Sequence, residues 1–222
     1  MSNPAQLLHA KFLSWRGPQN VNAASARGLN GQNWDDHTLA ISHLREIEEL
    51  IGLLESQGRN MRVAREAVPT WYQVVFSFSG GWQGQGTATI DQTSLNTLEM
   101  LAERLEDVVP TLEADGIDRI NGYIESVAET LKSDPSIPAP LRAHINDVIA
   151  HVRWCTQNYA TVGDFSLQDA LERLAGAVVR GAANSTDKSK WKSAVNNIVW
   201  PFAVNMMAAL PAAELVALVT GH

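Results

Sequence analysis

Apolar residues recur at three-and-four spacing along most of the chain, which is the period of an amphipathic helix. Residues 5–15 put Leu7, Leu8, Phe12 and Trp15 on one face. Asp35 or Asp36 caps a second run whose stripe is Ala40/Ile41, Leu44, Ile47, Leu50/Ile51 and Leu54, and Gly58 ends it. Asn60 caps a short helix through Ala67. Asp91 opens a stripe of Leu95, Leu98, Leu101/Ala102, Leu105 and Val108/Val109, and Pro110 stops it. Ile117, Ile120, Ile124, Val127 and Leu131 repeat the pattern, and so do Leu141, Ile145, Val148, Val152, Cys155 and Tyr159, up to Gly163. Ser166 to Asp169 resemble a capping box ahead of Leu171, Leu174 and Val178. The last run is Trp191, Val195, Ile198, Phe202, Met206 and Leu210, broken at Pro201, with a short terminal helix after Pro211.

Segment 70–79 fits two periods. Trp71, Val74, Val75 and Phe78 match a helix, while Tyr72, Val74, Phe76 and Phe78 alternate as in a strand. Thr70 as N-cap and Gly80-Gly81 as terminator favour the helix, since a lone hairpin with Thr87–Ile90 is marginal. The expected fold is therefore all-α, a bundle of about seven to nine amphipathic helices, with a small β-hairpin at 72–90 as the alternative. Asp134–Pro140, with three prolines, divides an N-terminal helical region (1–134) from a C-terminal one (141–222), the two packing as one globular domain. Residues 17–33 read as a polar loop and 181–187 as a small polar linker. Residues 91–131 and 141–180 read as two αα-hairpins.

Charge sharpens this picture. The chain of 222 residues carries a net −7. Residues 91–134 hold eleven Asp or Glu against three Lys or Arg, whereas residues 1–34 carry Lys11, Arg16 and Arg27 and no acid. Residues 67–90 contain no Asp, Glu, Lys, Arg or His, yet hold five aromatic residues and four glycines. An acidic chain lacks the basic face that displaces counterions from nucleic acid, so no nucleic-acid partner is expected. A single cysteine excludes an internal disulfide and fits a reducing compartment. No window of about 18 residues is apolar enough to span a bilayer. Together with an N-terminus unlike a signal peptide, this makes a cytoplasmic location the expectation.

Three groups of residues invite chemistry. The loop Gly80-Gly81-Trp82-Gln83-Gly84-Gln85-Gly86-Thr87 is glycine-rich, as phosphate-cradling turns are. It lacks the Lys-Ser/Thr of a Walker loop, so it reads more readily as a presentation loop for Trp82 or as a plain connection. Asp147, His151 and Cys155 follow one another at spacing four, a helix-face arrangement open to metal or thiolate chemistry, but Cys155 belongs to the apolar stripe. The pairs Glu46-x-x-Glu49 and Glu103-x-x-Glu106 resemble the carboxylate pairs with which all-α nucleotide pyrophosphohydrolases hold Mg²⁺. They depart from that family by their wide separation, by Glu in place of the final Asp, and by the lack of a preceding Lys.

No catalytic motif stands beside these groups. The leading expectation is a non-enzymatic helical protein that acts through contact with a protein partner or as a homo-oligomer, without a cofactor. Phe78, Trp82, Trp200 and Phe202 are the candidate contact residues, on the 78–86 loop and the apolar 198–218 region. The first alternative is a Mg²⁺-dependent nucleotide-cleaving enzyme using Glu46, Glu49, Glu103 and Glu106. The second is peripheral membrane binding through the C-terminal helices, led by Lys188, Lys190 and Lys192. A regulatory or defence role in a bacterium is compatible with all three and selected by none.

Overall fold

Most of the amphipathic stripes become helices, but the last one stops at Asn196, and Phe202, expected on it, stands in a short strand instead. The computed structural model describes residues 2–28, 34–199 and 201–203, and these form nine helices and one pair of two-residue strands. The chain divides into two units, Ser2–Asp107 and the residues from Val108 onward. The 91–131 stretch read as one αα-hairpin is split between them, and the proline-rich 134–140 segment lies inside the second.

In the first unit, α1 (Pro4–Trp15) begins with a capping box. The Asn3 side chain accepts the amides of Ala5 and Gln6, and Gln6 Oε1 accepts the Asn3 N–H, each at 3.1 Å. Asn3 Nδ2 also donates to Ala102 O at 2.9 Å, which fastens α1 to α5 (Gln92–Leu105). The stretch 17–33, expected as a loop, holds a one-turn helix, α2 (Ala23–Ala26), because Asn22 caps it by accepting the Ser25 amide at 2.8 Å. α3 (Trp34–Ser56) packs on α1 and on α4 (Arg62–Phe76), and α5 packs on α1 and α4. Leu8, Phe12, Leu44, Ile47, Ile51, Trp71, Leu95 and Leu98 fill the space between them.

The helical reading of 70–79 holds through Phe76, and no strand forms between 72 and 90. The break expected at Pro69 does not occur. α4 runs through it, because Ala64, Val68, Trp71 and Val75 make one buried stripe across the proline. Burying that stripe outweighs the single hydrogen bond a helix loses at Pro. Trp71 Nε1 donates to Ser94 O at 3.1 Å, which satisfies the one polar atom of a fully buried indole.

In the second unit, β1 (Thr111–Leu112) pairs antiparallel with β2 (Phe202–Ala203), Leu112 opposite Phe202. α6 (Gly116–Ser133) packs on α7 (Ala139–Gln157), which makes its longest contact with α8 (Tyr159–Asn184). α9 (Lys188–Asn196) packs on α6 and α8. Gly163 sits inside α8 at φ 80° and kinks it, and the helix continues to Asn184. Two expectations change here. Ser166 lies within the helix rather than at its cap, and the linker expected at 181–187 shrinks to Ser185–Asp187. Gly181, now inside the helix, has no Cβ and so lets the Trp191 ring of α9 lie directly against α8.

A buried carboxylate ties this unit together. Asp134, which ends α6, accepts from Trp191 Nε1 at 2.8 Å, Ser185 Oγ at 2.6 Å, and Ser136 N and Oγ at 3.0 and 2.6 Å. Burial opposes its ionisation, but these donors overcome that and hold its pKa well below the usual carboxylate range.

Candidate functional site

The uncharged segment and the acid-free N-terminal segment meet in the first unit and line a solvent-open cavity of about 670 Å³. Its wall forms where α4 ends. Ser77 adopts a left-handed conformation (φ 52°), its N–H donates to Val74 O at 3.2 Å, and the Phe78 N–H donates to Gln73 O at 3.0 Å. This closes the helix in the manner of a C-terminal cap and turns the chain outward. Phe78 is left 73% exposed on the lip of the cavity. The neighbouring Phe76 is 51% exposed and stacks on Tyr72, with centroids 6.4 Å apart.

The glycine-rich loop then curls tightly. A Cβ on Gly84 would stand 2.1 Å from Gly80 O, so only glycine fits there. Thr87 Oγ1 accepts the Ala23 N–H at 3.1 Å, Trp82 O accepts the Ala24 N–H at 3.1 Å, and Ala88 O accepts the Gly17 N–H at 2.8 Å. Three bonds thus pin the loop to residues 17–24.

Beneath the loop is a cationic aromatic cluster. Arg27 is only 5% exposed. Its Nη1 donates to Val75 O at 2.9 Å and its Nη2 to Val74 O at 2.8 Å, at the carbonyl end of α4, where the helix dipole favours a cation. Its guanidinium lies 4.6 Å from the Trp15 ring and 5.5 Å from the Trp82 ring. His37 stacks on Trp15 at 4.3 Å and meets Trp82 edge-on at 4.9 Å. Trp34 meets Trp82 edge-on at 6.4 Å, so it contributes to this cluster. Desolvation lowers the Arg27 pKa to about 10, which leaves it charged at neutral pH.

The residues singled out from the sequence are widely distributed. Phe78 is on the surface, and Trp82 is half-buried against Arg27 and His37. Phe202 is 2% exposed and belongs to the core of the second unit, so it offers no surface to a partner. Trp200 and most of the 198–218 region lie outside the described residues, as do Met206, Leu210 and the helix expected after Pro211. Among the described residues, no group of three or more His, Cys, Asp or Glu is placed to hold a metal ion. Glu46, Glu49, Glu103 and Glu106 therefore do not gather into a carboxylate site. Glu46 pairs with His43 at 3.2 Å and Glu106 accepts from Gln6 at 2.9 Å, while Ile47 and Leu105 beside them face the core. Cys155 is fully buried, with Sγ 3.8 Å from His151 Nε2, and Asp147 and His151 are exposed on α7. No helix among the described residues is long and apolar enough to cross a membrane.

Arg27 was not singled out from the sequence. The available signal was the absence of acids in residues 1–34 alongside the absence of any charge in 67–90: two segments without carboxylates pack together around one arginine. Compared with known protein families, with curated proteins and with solved structures, the chain matches none.

Proposed function

We propose that this chain is a contact protein whose first unit engages another protein through the aromatic lip of the 76–82 segment. One observation carries the reading: Phe78 is 73% exposed at the mouth of a cavity, beside a half-exposed Phe76. Exposed aromatic side chains gathered at a concave site are the usual anchors of protein interfaces. The pinned loop supports this reading, because an anchor held in place loses little conformational entropy on binding. The lip carries no charge, so an apolar side chain of the partner meets it without desolvating an ion.

A photo-reactive phenylalanine analogue at position 78 tests this, with the same probe at Val63, also exposed, as control. In extract from the source cells, position 78 is expected to give a discrete adduct that excess unlabelled wild type suppresses and a Phe76→Ser/Phe78→Ser variant does not. Identical adducts from positions 78 and 63 overturn the reading. A self-adduct, matched by concentration-dependent sedimentation, identifies the partner as a second copy.

A further inference from the structure

We propose that the cavity between residues 16–27 and 70–92 is a binding site for an oxyanion, the carboxylate or phosphate group of a small molecule. Arg27 lines this cavity and carries a buried positive charge. Buried cations are normally matched by a carboxylate, because an unmatched charge in a low-dielectric interior is costly. Among the described residues, none lies within ion-pair distance of Arg27, and its Nε–H has no acceptor. Two α4 carbonyls, two indole faces and His37 Nε2, 3.5 Å from Nη1, hold the guanidinium, but they supply dipoles and quadrupoles rather than a counter-charge.

The remaining wall has the same sign. Arg16 is a second cation on it, anchored by its Nη1 to Gln92 Oε1 at 3.0 Å. The one acid lining the cavity, Asp91, is engaged at both oxygens: Oδ1 accepts the Ser94 amide at 2.9 Å and Oδ2 accepts the Ser94 hydroxyl. Thr70 and Gln73 add neutral hydrogen-bonding groups. Two arginines against one occupied carboxylate leave a net positive recess. A guanidinium is the side chain best matched to the planar fork of a carboxylate or the oxygens of a phosphate. The proposal does not depend on the contact reading, since no protein partner enters its test.

The full chain, isotopically labelled, is titrated with inorganic phosphate and separately with succinate, at constant ionic strength held with chloride. Backbone amides of 16–27 and 77–92 and the Arg27 Nε–H resonance are followed by NMR. A saturable shift confined to these signals is expected from at least one probe. A response to phosphate alone assigns a phosphate ligand, and a response to succinate alone assigns a carboxylate. Arg16 is exposed, so Arg16→Gln should fold normally while weakening binding about tenfold, the scale of one charge-assisted hydrogen bond. Arg27→Lys keeps the charge but loses the fork, and should weaken it as well. Lys11→Gln, which removes a cation already paired with Asp36, should leave binding unchanged. The proposal is overturned if neither probe gives a saturable shift, or if the shifts survive Arg16→Gln and Arg27→Lys unaltered.

Discussion

The Trp191 indole N–H donates to the buried Asp134 carboxylate at 2.8 Å, joining the end of α6 to α9 across 57 residues of sequence. Ser185, at the end of α8, donates to the same oxygen. One side chain therefore fixes the ends of two helices against a third.

Asp134→Asn should destabilise the protein by about 2–4 kcal/mol, since it removes the charge that its donors were arranged to meet. Trp191→Phe, which keeps most of the ring and loses the N–H, should cost about 1–3 kcal/mol. The effect of Asp134 depends on pH. Its folded pKa lies below the unfolded value of about 3.9, so its contribution is complete above that value and is lost as pH falls further. Urea unfolding should show a full gap between wild type and Asp134→Asn at neutral pH, narrowing below about pH 4. A gap independent of pH would contradict an ionised Asp134.

Glycines on the helices should respond with opposite signs. A Cβ on Gly181 would stand 2.7 Å from the Trp191 ring, which is itself fully buried and unable to yield. Gly181→Ala should cost about 1–3 kcal/mol through overpacking. Gly122 and Gly176 have open space at the same position, so alanine there should stabilise by up to about 1 kcal/mol through helix propensity. Thermal unfolding of the three single variants decides it.

Phe78 and Phe202 should separate just as clearly. Phe78→Ser removes a surface ring and should change stability by no more than about 0.5 kcal/mol. Phe202→Ala opens a cavity in the second unit and should cost about 3–5 kcal/mol. Equal losses would mean that Phe78 is not the free surface group described here.

Cys155 supplies a probe of integrity. It is the chain's one thiol and is fully buried on α7, so a thiol reagent should label it slowly in native buffer and at one equivalent per chain in denaturant. Fast labelling under native conditions would show that α7 does not seal it. It would also reopen thiolate chemistry beside His151.

Much of the fold was legible because helix stripes are local. The stripe of α3 and the Asp91 cap of α5 can be read from neighbouring residues, and both stand where the spacing puts them. Pro69 misled because its cost is also local, whereas the burial that outweighs it depends on what packs against α4. Ser166 misled for a similar reason. A capping sequence is a local preference, and the backbone departs from helical geometry at Gly163, three residues earlier, instead.

By itself the sequence determined the helical period, the aromatic content of the uncharged segment and the lack of acid in residues 1–34, since these are properties of neighbours along the chain. Only the tertiary structure decided that those two carboxylate-free segments meet. That meeting leaves Arg27 with no carboxylate at ion-pair distance among the described residues, and in the second unit it is likewise packing that buries Asp134 beneath Trp191. Such outcomes depend on contacts between residues tens of positions apart, and those are settled by packing rather than by period.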